Sequence, residues 1–271
     1  MVAPLDYVSP LISGIIVALT SWLPVGPEGS AVSEILESVA PSHADYLVPS
    51  YLGVTFAVLF YFKNLIGIDT QSAIRGRVSS DLRYFLYASL FTIFVGYPII
   101  GRFQDALGPE GSDLVNAIVG IALILIGLIY GGRAGAPLEN VEGQMREREG
   151  EATLLDSLVS GILQGVSLVG SISRSGLVLL GLSSTGLNVK RALELSFLVA
   201  PTYLVMKLIF MGGWEPGLPV ALLFTAFLAA FVVSLITMKL LLRGAEALGR
   251  RLFLVIYGSM AIVVYLLGVV L

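Results

Sequence analysis

The sequence predicts an all-α integral membrane protein, with six transmembrane helices and two re-entrant helical hairpins in an inverted repeat. Three observations carry this expectation. Of 271 residues, 56% are hydrophobic and only 13% charged, with mean hydropathy +0.90. Soluble domains carry roughly 45–50% apolar and about 25% charged residues. Long apolar stretches recur along the chain, and two of them are interrupted. The order of interrupted stretch and spans is the same in both halves. A globule of this composition cannot cover its surface with polar groups. An ordinary cytosolic enzyme, a disordered chain and a nucleic-acid binder are therefore excluded.

The elements follow in order. Residues 8–39 form an apolar stretch broken at Leu23-Pro24-Val25-Gly26-Pro27-Glu28-Gly29-Ser30. Spans are expected at 46–67, 82–103 and 114–132. Each suffices for a ~30 Å hydrocarbon core, which takes about 20 residues at ~1.5 Å rise. The polar segment 133–153 joins the halves as a solvated loop. Residues 154–187 are apolar but broken at Gly170-Ser171-Ile172-Ser173-Arg174-Ser175-Gly176, and further spans follow at 190–212, 218–242 and 251–270. The arms of the interrupted stretches, about 12–16 residues each, are too short to cross. They suit re-entrant hairpins, whose irregular backbone must be buried in protein or line a wet cavity. The alternative is one kinked span apiece.

Charge placement orients the chain. With the connection after 46–67 inside, Lys63, Arg75, Arg77 and Arg83 lie inside, as do Arg133, Arg146 and Arg148. Lys190, Arg191, Lys239, Arg243, Arg250 and Arg251 join them, so most of the 16 basic residues share one side. The positive-inside rule then puts both termini outside. The opening MVAPLDYVSP has no basic n-region and does not read as a cleaved signal peptide. Absence of cysteine excludes disulfides and thiolate chemistry, and the single histidine, His43, excludes a multi-histidine metal site within one chain. The formal net charge of −3 names no partner.

The repeat organises a single membrane domain, 1–271. Setting Gly14 against Gly161 brings Gly29 opposite Gly176 without a gap. The halves, about 8–132 and 154–271, each read as a broken hairpin followed by three spans. Three is odd, so the second half is inverted. Such repeats place a substrate site where their broken helices meet. A similar string, Leu107-Gly108-Pro109-Glu110-Gly111-Ser112, reads as turn chemistry in an outside loop.

Ser173-Arg174-Ser175-Gly176 is the sharpest chemical signal. An arginine in apolar surroundings is costly unless paired, and marks a functional site by default. Its planar fork matches a phosphate. The flanking hydroxyls donate to phosphate oxygens, and the helical arm that follows offers free N–H groups. The alternative is an arginine that snorkels to the interface or pairs with Glu194. Glu194 either orients Arg174 or pairs with Arg191 at i,i+3. Gln164 lines the cavity or caps a hairpin turn. Lys207 and Lys239 read as snorkelling side chains, His43 as a solvated loop residue, and Tyr46 and Trp214 as members of the interfacial belt.

At these residues the chain resembles the undecaprenyl-diphosphate phosphatase family, the bacitracin-resistance membrane phosphatases, over nearly its whole length. The resemblance is sharpest at Ser173-Arg174-Ser175-Gly176 and at Ala192-Leu193-Glu194-Leu195-Ser196-Phe197-Leu198-Val199-Ala200-Pro201. It implies six spans plus two re-entrant hairpins, and removal of the terminal phosphate from a polyprenyl diphosphate in recycling of the carrier lipid. The family's first hairpin carries two glutamates four residues apart and a later histidine. Here those positions hold Val17, Ser21 and Ser30. The family's Pro-Gly before the arginine motif is Gly170-Ser171. The phosphate-binding half of the pattern survives, while the acid–base half does not.

Two readings follow. In the first, the chain is a divergent phosphatase. Arg174 clamps phosphate, Ser173 or Ser175 serves as hydroxyl donor or nucleophile, and Glu28 or Glu194 is the base. Headgroup contacts are expected from Ser173, Arg174, Ser175, Gly176, Gln164, Glu194 and Ser30. No cofactor is certain, and Mg²⁺ or Ca²⁺ would join if the phosphatase reaction runs. In the second, the cavity binds and translocates polyprenyl phosphate without hydrolysis; transport of another amphiphile is a remoter version. The partners are a polyprenyl phosphate or diphosphate and membrane lipids, not nucleic acid. A homodimer is left open.

Overall fold

The computed structural model describes residues 4–67, 78–100, 102–103, 106–130, 150–210 and 217–270. Most of the polar 133–153 connection lies outside them, as do Arg75, Arg77, Arg133, Arg146, Arg148 and Trp214. The described residues are mostly helical. The helices are α1 (Val8–Trp22), α2 (Ser30–Val39), α3 (Leu47–Tyr61), α4 (Ser80–Ile100) and α5 (Pro109–Tyr130). In the second half come α6 (Leu154–Val166), α7 (Arg174–Ser184), α8 (Val189–Phe210) and α9 (Val220–Val270). Among the described residues, five helical stretches are long and apolar enough to cross a membrane: His43–Tyr61, Ser80–Ile100, Pro109–Ile129, Val189–Phe210 and Val220–Val270. Their outer faces carry exposed apolar side chains such as Phe94, Ile129, Ile209 and Val220.

Local chemistry sets the helix ends. α1 stops where Leu23 precedes Pro24, because a residue before proline is pushed out of the helical region. Leu23 is accordingly extended, at φ −90 and ψ 160. α5 starts on Pro109, whose missing N–H costs nothing at a first helical position. Thr153 and Asp156 close a capping box on α6, with Thr153 N–H donating to Asp156 Oδ2 at 2.7 Å. Ser173 caps α7 by accepting from Gly176 N–H.

α9 corrects the expected boundaries. Separate spans were expected at 218–242 and 251–270, and α9 is two helices that meet at Gly249, the first of them running on past 242 to Leu248. Residues 243–248, Arg-Gly-Ala-Glu-Ala-Leu, are charged yet rich in helix formers, so they extend the helix instead of forming a loop. The break falls on Gly249 alone, at φ 68 and ψ 171. That left-handed position favours glycine. The arms on either side of Gly249 meet different neighbours. Gly14 on α1 and Gly53 on α3 abut the arm before it, at Ala226, Phe227 and Ala230. Gly120 and Gly127 on α5 abut the arm after it.

Packing is crosswise between the halves. Gly14 of α1 lies against Ala226, Ala229 and Ala230 of α9. Gly161 of α6 lies against Ala88 and Phe91 of α4. At the α5–α9 contact, Gly120 and Gly258 each face the other's carbonyl oxygen, a self-complementary approach that no side chain would fit. One core unites the halves, with Trp22, Tyr51, Phe197 and Tyr257 buried in it. Trp22 and Phe197 meet edge to face, centroids 5.0 Å apart. Tyr46, expected in an interfacial belt, is instead buried against Leu222, Leu223 and Ala226.

Candidate functional site at the junction of the helix breaks

The breaks between α1 and α2 and between α6 and α7 touch. Gly26 packs directly against the Ser171 carbonyl, and Glu28 N–H donates to Ser171 Oγ at 2.7 Å. α1 ends here, and its last carbonyls have no intrahelical donor. The second half supplies donors to three successive ones. Arg174 Nη2 donates to Ser21 O at 3.1 Å, and Tyr257 OH to Trp22 O at 2.6 Å. Ser173 Oγ and Ser175 Oγ both donate to Leu23 O, at 3.0 and 2.7 Å. Inside a bilayer such carbonyls must be satisfied by protein.

Arg174 is 4% exposed. Its Nη1 donates to Ser196 O at 2.8 Å, and the guanidinium sits 5.3 Å from the Trp22 ring. Among the described residues no carboxylate pairs with it. Carbonyl dipoles and an indole face stabilise the cation without neutralising it. The junction therefore holds a cation without a described carboxylate partner, whose natural complement is an anion. Beside it lies a cavity of about 10 Å³ lined by Thr20, Ser21, Tyr51, Arg174 and Tyr203, among others. That is room for about one water molecule. A wider groove of about 420 Å³ runs past Ser30, Glu34, Glu37 and Glu110. Its carboxylates give it the wrong sign for a phosphate.

Residues of α5 brace the junction. Ser112 Oγ accepts from Ser171 N–H at 2.9 Å. Asn116 Oδ1 accepts from Ser173 N–H at 2.7 Å, and its Nδ2 donates to Ser171 O at 3.1 Å. Asp113 accepts from Ser30 Oγ at 2.8 Å at the start of α2. The sequence reading missed these roles by treating the 107–112 string as a turn. The signal was present, because Ser112, Asp113 and Asn116 fall on one face of an apolar helix.

Several expected site residues lie elsewhere. Gln164 is buried and donates to Thr92 Oγ1 at 3.1 Å and Val199 O at 3.2 Å, so it ties α6 to α4 and α8 rather than lining the cavity. Glu194 faces Arg191 at 3.3 Å, and Arg191 also pairs with Asp81. The i,i+3 geometry thus prevails over contact with Arg174. Ser30 is committed to Asp113. Ser173, Arg174, Ser175 and Gly176 all stand at the junction, with Ser173 and Ser175 hydroxyls 3.2 Å apart. Neither hydroxyl has a carboxylate or imidazole as a described hydrogen-bond partner. Glu28 is at the junction too, paired with Lys207 at 2.8 Å. Lys207 is therefore not a snorkelling side chain, whereas Lys239 is exposed. His43 bonds the Ala40 carbonyl at 3.1 Å.

A divalent cation does not fit this junction. Val17 is buried in the core, and Ser21 Oγ donates to the Val17 carbonyl at 2.6 Å. The positions where the resemblance implies paired glutamates thus offer no carboxylate. Among the described residues no three acidic, histidine or cysteine side chains converge to hold a metal.

Fold and site define a helical integral membrane protein with a buried arginine where two broken helices meet. Over residues 10–263 the chain matches the family described as Bacitracin resistance protein BacA, and it belongs to that family. The resemblance read from the arginine motif is borne out. The chain is 28% identical over 264 residues to an undecaprenyl-diphosphatase of Methanopyrus kandleri, with 94% of each chain covered. It is 26% identical over 268 residues to one of Methanococcoides burtonii, covering 93% of this chain and 96% of that one. Undecaprenyl-diphosphatase 1 of Bacillus licheniformis is 29% identical over 216 residues, 76% of each chain.

Proposed function

We propose that this protein binds a polyprenyl phosphate or diphosphate carrier lipid at the junction and acts in recycling that carrier, as an undecaprenyl-diphosphatase-like protein. One observation carries the reading: the Arg174 guanidinium is buried, held by backbone carbonyls, and has no described carboxylate partner. The names of the relatives support the lipid class. In this reading the α1–α2 and α6–α7 pairs are re-entrant hairpins of an inverted repeat. Arm lengths of 15, 10, 13 and 11 residues support it, as do the paired glycine contacts at Gly14, Gly161, Gly120 and Gly258. The arms of α9 on either side of Gly249 are then two spans, giving six. Both termini face outside the cell membrane.

Hydrolysis in this protein is slow. Acid–base assistance is typically worth 10²–10⁴-fold, and Val17, Ser21 and Ser30 cannot provide it. The test is phosphate release from a C55 diphosphate by the purified protein with Mg²⁺ or Ca²⁺ added. The expected rate is about 10²-fold or more below that of a relative carrying both glutamates, and it is lost in Arg174→Ala. A rate equal to that relative's, or one indifferent to Arg174→Ala, contradicts the reading.

A further inference from the structure

Lys207 has the surroundings of a ligand contact. Its side chain is 10% exposed, and its Nζ lies 2.8 Å from Glu28 Oε1 and 5.2 Å from the Tyr51 ring centroid. Lys207 follows Tyr203 and Leu204 by four and three residues on α8, so the three share one helix face. Tyr51, Tyr203 and Leu204 line the small cavity beside Arg174. Arg174 borders that space directly, and Lys207 stands behind its Tyr51 wall, on the same helix face as Tyr203 and Leu204.

Their partners differ in kind. Arg174 is bonded to backbone carbonyls that cannot leave without unfolding the junction. Lys207 is bonded to a side chain that is 47% exposed, on the break between Gly26 and Gly29. A buried ammonium without a counter-ion is strongly disfavoured. Any anion that takes the place of the Glu28 carboxylate keeps Lys207 neutralised throughout. The cavity, about 10 Å³ as it stands, cannot admit a phosphate until one of its walls moves. Pro27 is one of those walls, and the half-exposed Glu28 follows it in the chain.

We propose that Lys207 is a second cationic contact for the headgroup, and that Glu28 is its internal counter-ion, displaced when the headgroup binds. This rests on the headgroup reading above and sharpens it. A site with one guanidinium and one ammonium takes a headgroup with at least two negative charges, such as a diphosphate or a dianionic phosphate monoester. Glu28 then competes with the ligand and takes no proton from water.

The test is binding of C55 monophosphate and C55 diphosphate to the full chain in nanodiscs of zwitterionic lipid. Glu28→Gln is expected to tighten binding about tenfold, and Lys207→Gln to weaken it by a similar factor, the scale of one charged hydrogen bond. Lys207→Arg keeps the affinity near wild type. In the Lys207→Gln background, Glu28→Gln has no further effect, because the carboxylate acts only through that ammonium. Unchanged or weaker binding by Glu28→Gln, with wild type still binding, overturns this proposal alone. So does loss of phosphate release in Glu28→Gln without a gain in affinity, the mark of a general base. Equal binding by wild type and Arg174→Ala overturns the headgroup reading itself. Should Lys207→Gln fail to fold, the single Glu28→Gln variant still decides.

Discussion

The two helix breaks occupy equivalent places in the two halves, yet they do different work. The second, between α6 and α7, is buried from Ser171 onward and presents side-chain donors: Ser173, Arg174 and Ser175. The first, between α1 and α2, presents backbone acceptors at Ser21, Trp22 and Leu23, and carries the half-exposed Glu28. One break thus caps the other, and the same contacts that close a helix end also hold a cation in the interior. The comparison teaches that two helix breaks in contact can divide their labour. Fixed positive charge comes from one half, and the movable negative charge comes from the other.

Arg174→Ala gives the largest expected effect. It removes donors from the buried Ser196 carbonyl and the partly buried Ser21 carbonyl, about 1–3 kcal/mol for the buried one, and it abolishes binding of polyprenyl phosphate. Lipid binding and thermal unfolding, measured on the same preparation with Arg174→Lys alongside, separate loss of the site from loss of the fold. Gly26→Val comes next, because a side chain there collides with the Ser171 carbonyl. Overpacking costs typically 1–3 kcal/mol, and a lower melting temperature is the expected readout; an unchanged one would mean the breaks do not touch. The braces should then rank. Asn116→Ala breaks two hydrogen bonds to the second break and costs about 2 kcal/mol, against about 1 kcal/mol for Ser30→Ala at the first. A reversed order in denaturation would show the first break to be the more tightly held. Glu194→Gln is smallest. Its partly exposed pair with Arg191 is worth about 0–1 kcal/mol, and C55 phosphate affinity should not change; a loss of affinity would return Glu194 to the site.

Much of this was legible in the sequence, for physical reasons. Apolar runs and their interruptions marked α3, α4, α5 and α8 to within a few residues at most ends, because a bilayer demands length and apolarity. The arginine motif was legible because a charge among apolar residues stands out. The partners were not. Pairing of Lys207 with Glu28 joins residues 179 positions apart, and nothing local distinguishes that lysine from one that snorkels. Gln164 failed for the converse reason: a polar side chain in an apolar arm satisfies itself on a neighbouring helix as readily as on a ligand. The first arm of α9 runs past the expected end at 242 because charged residues were taken to end a helix, whereas Arg, Glu and Ala sustain one.

The most direct measurement is a structure determined with a polyprenyl phosphate bound. The expected result is the phosphate beside the Arg174 guanidinium and within reach of Lys207, with the Glu28 carboxylate turned away. A headgroup seated outside the junction, with Arg174 still bonded only to the Ser21 and Ser196 carbonyls, would contradict it.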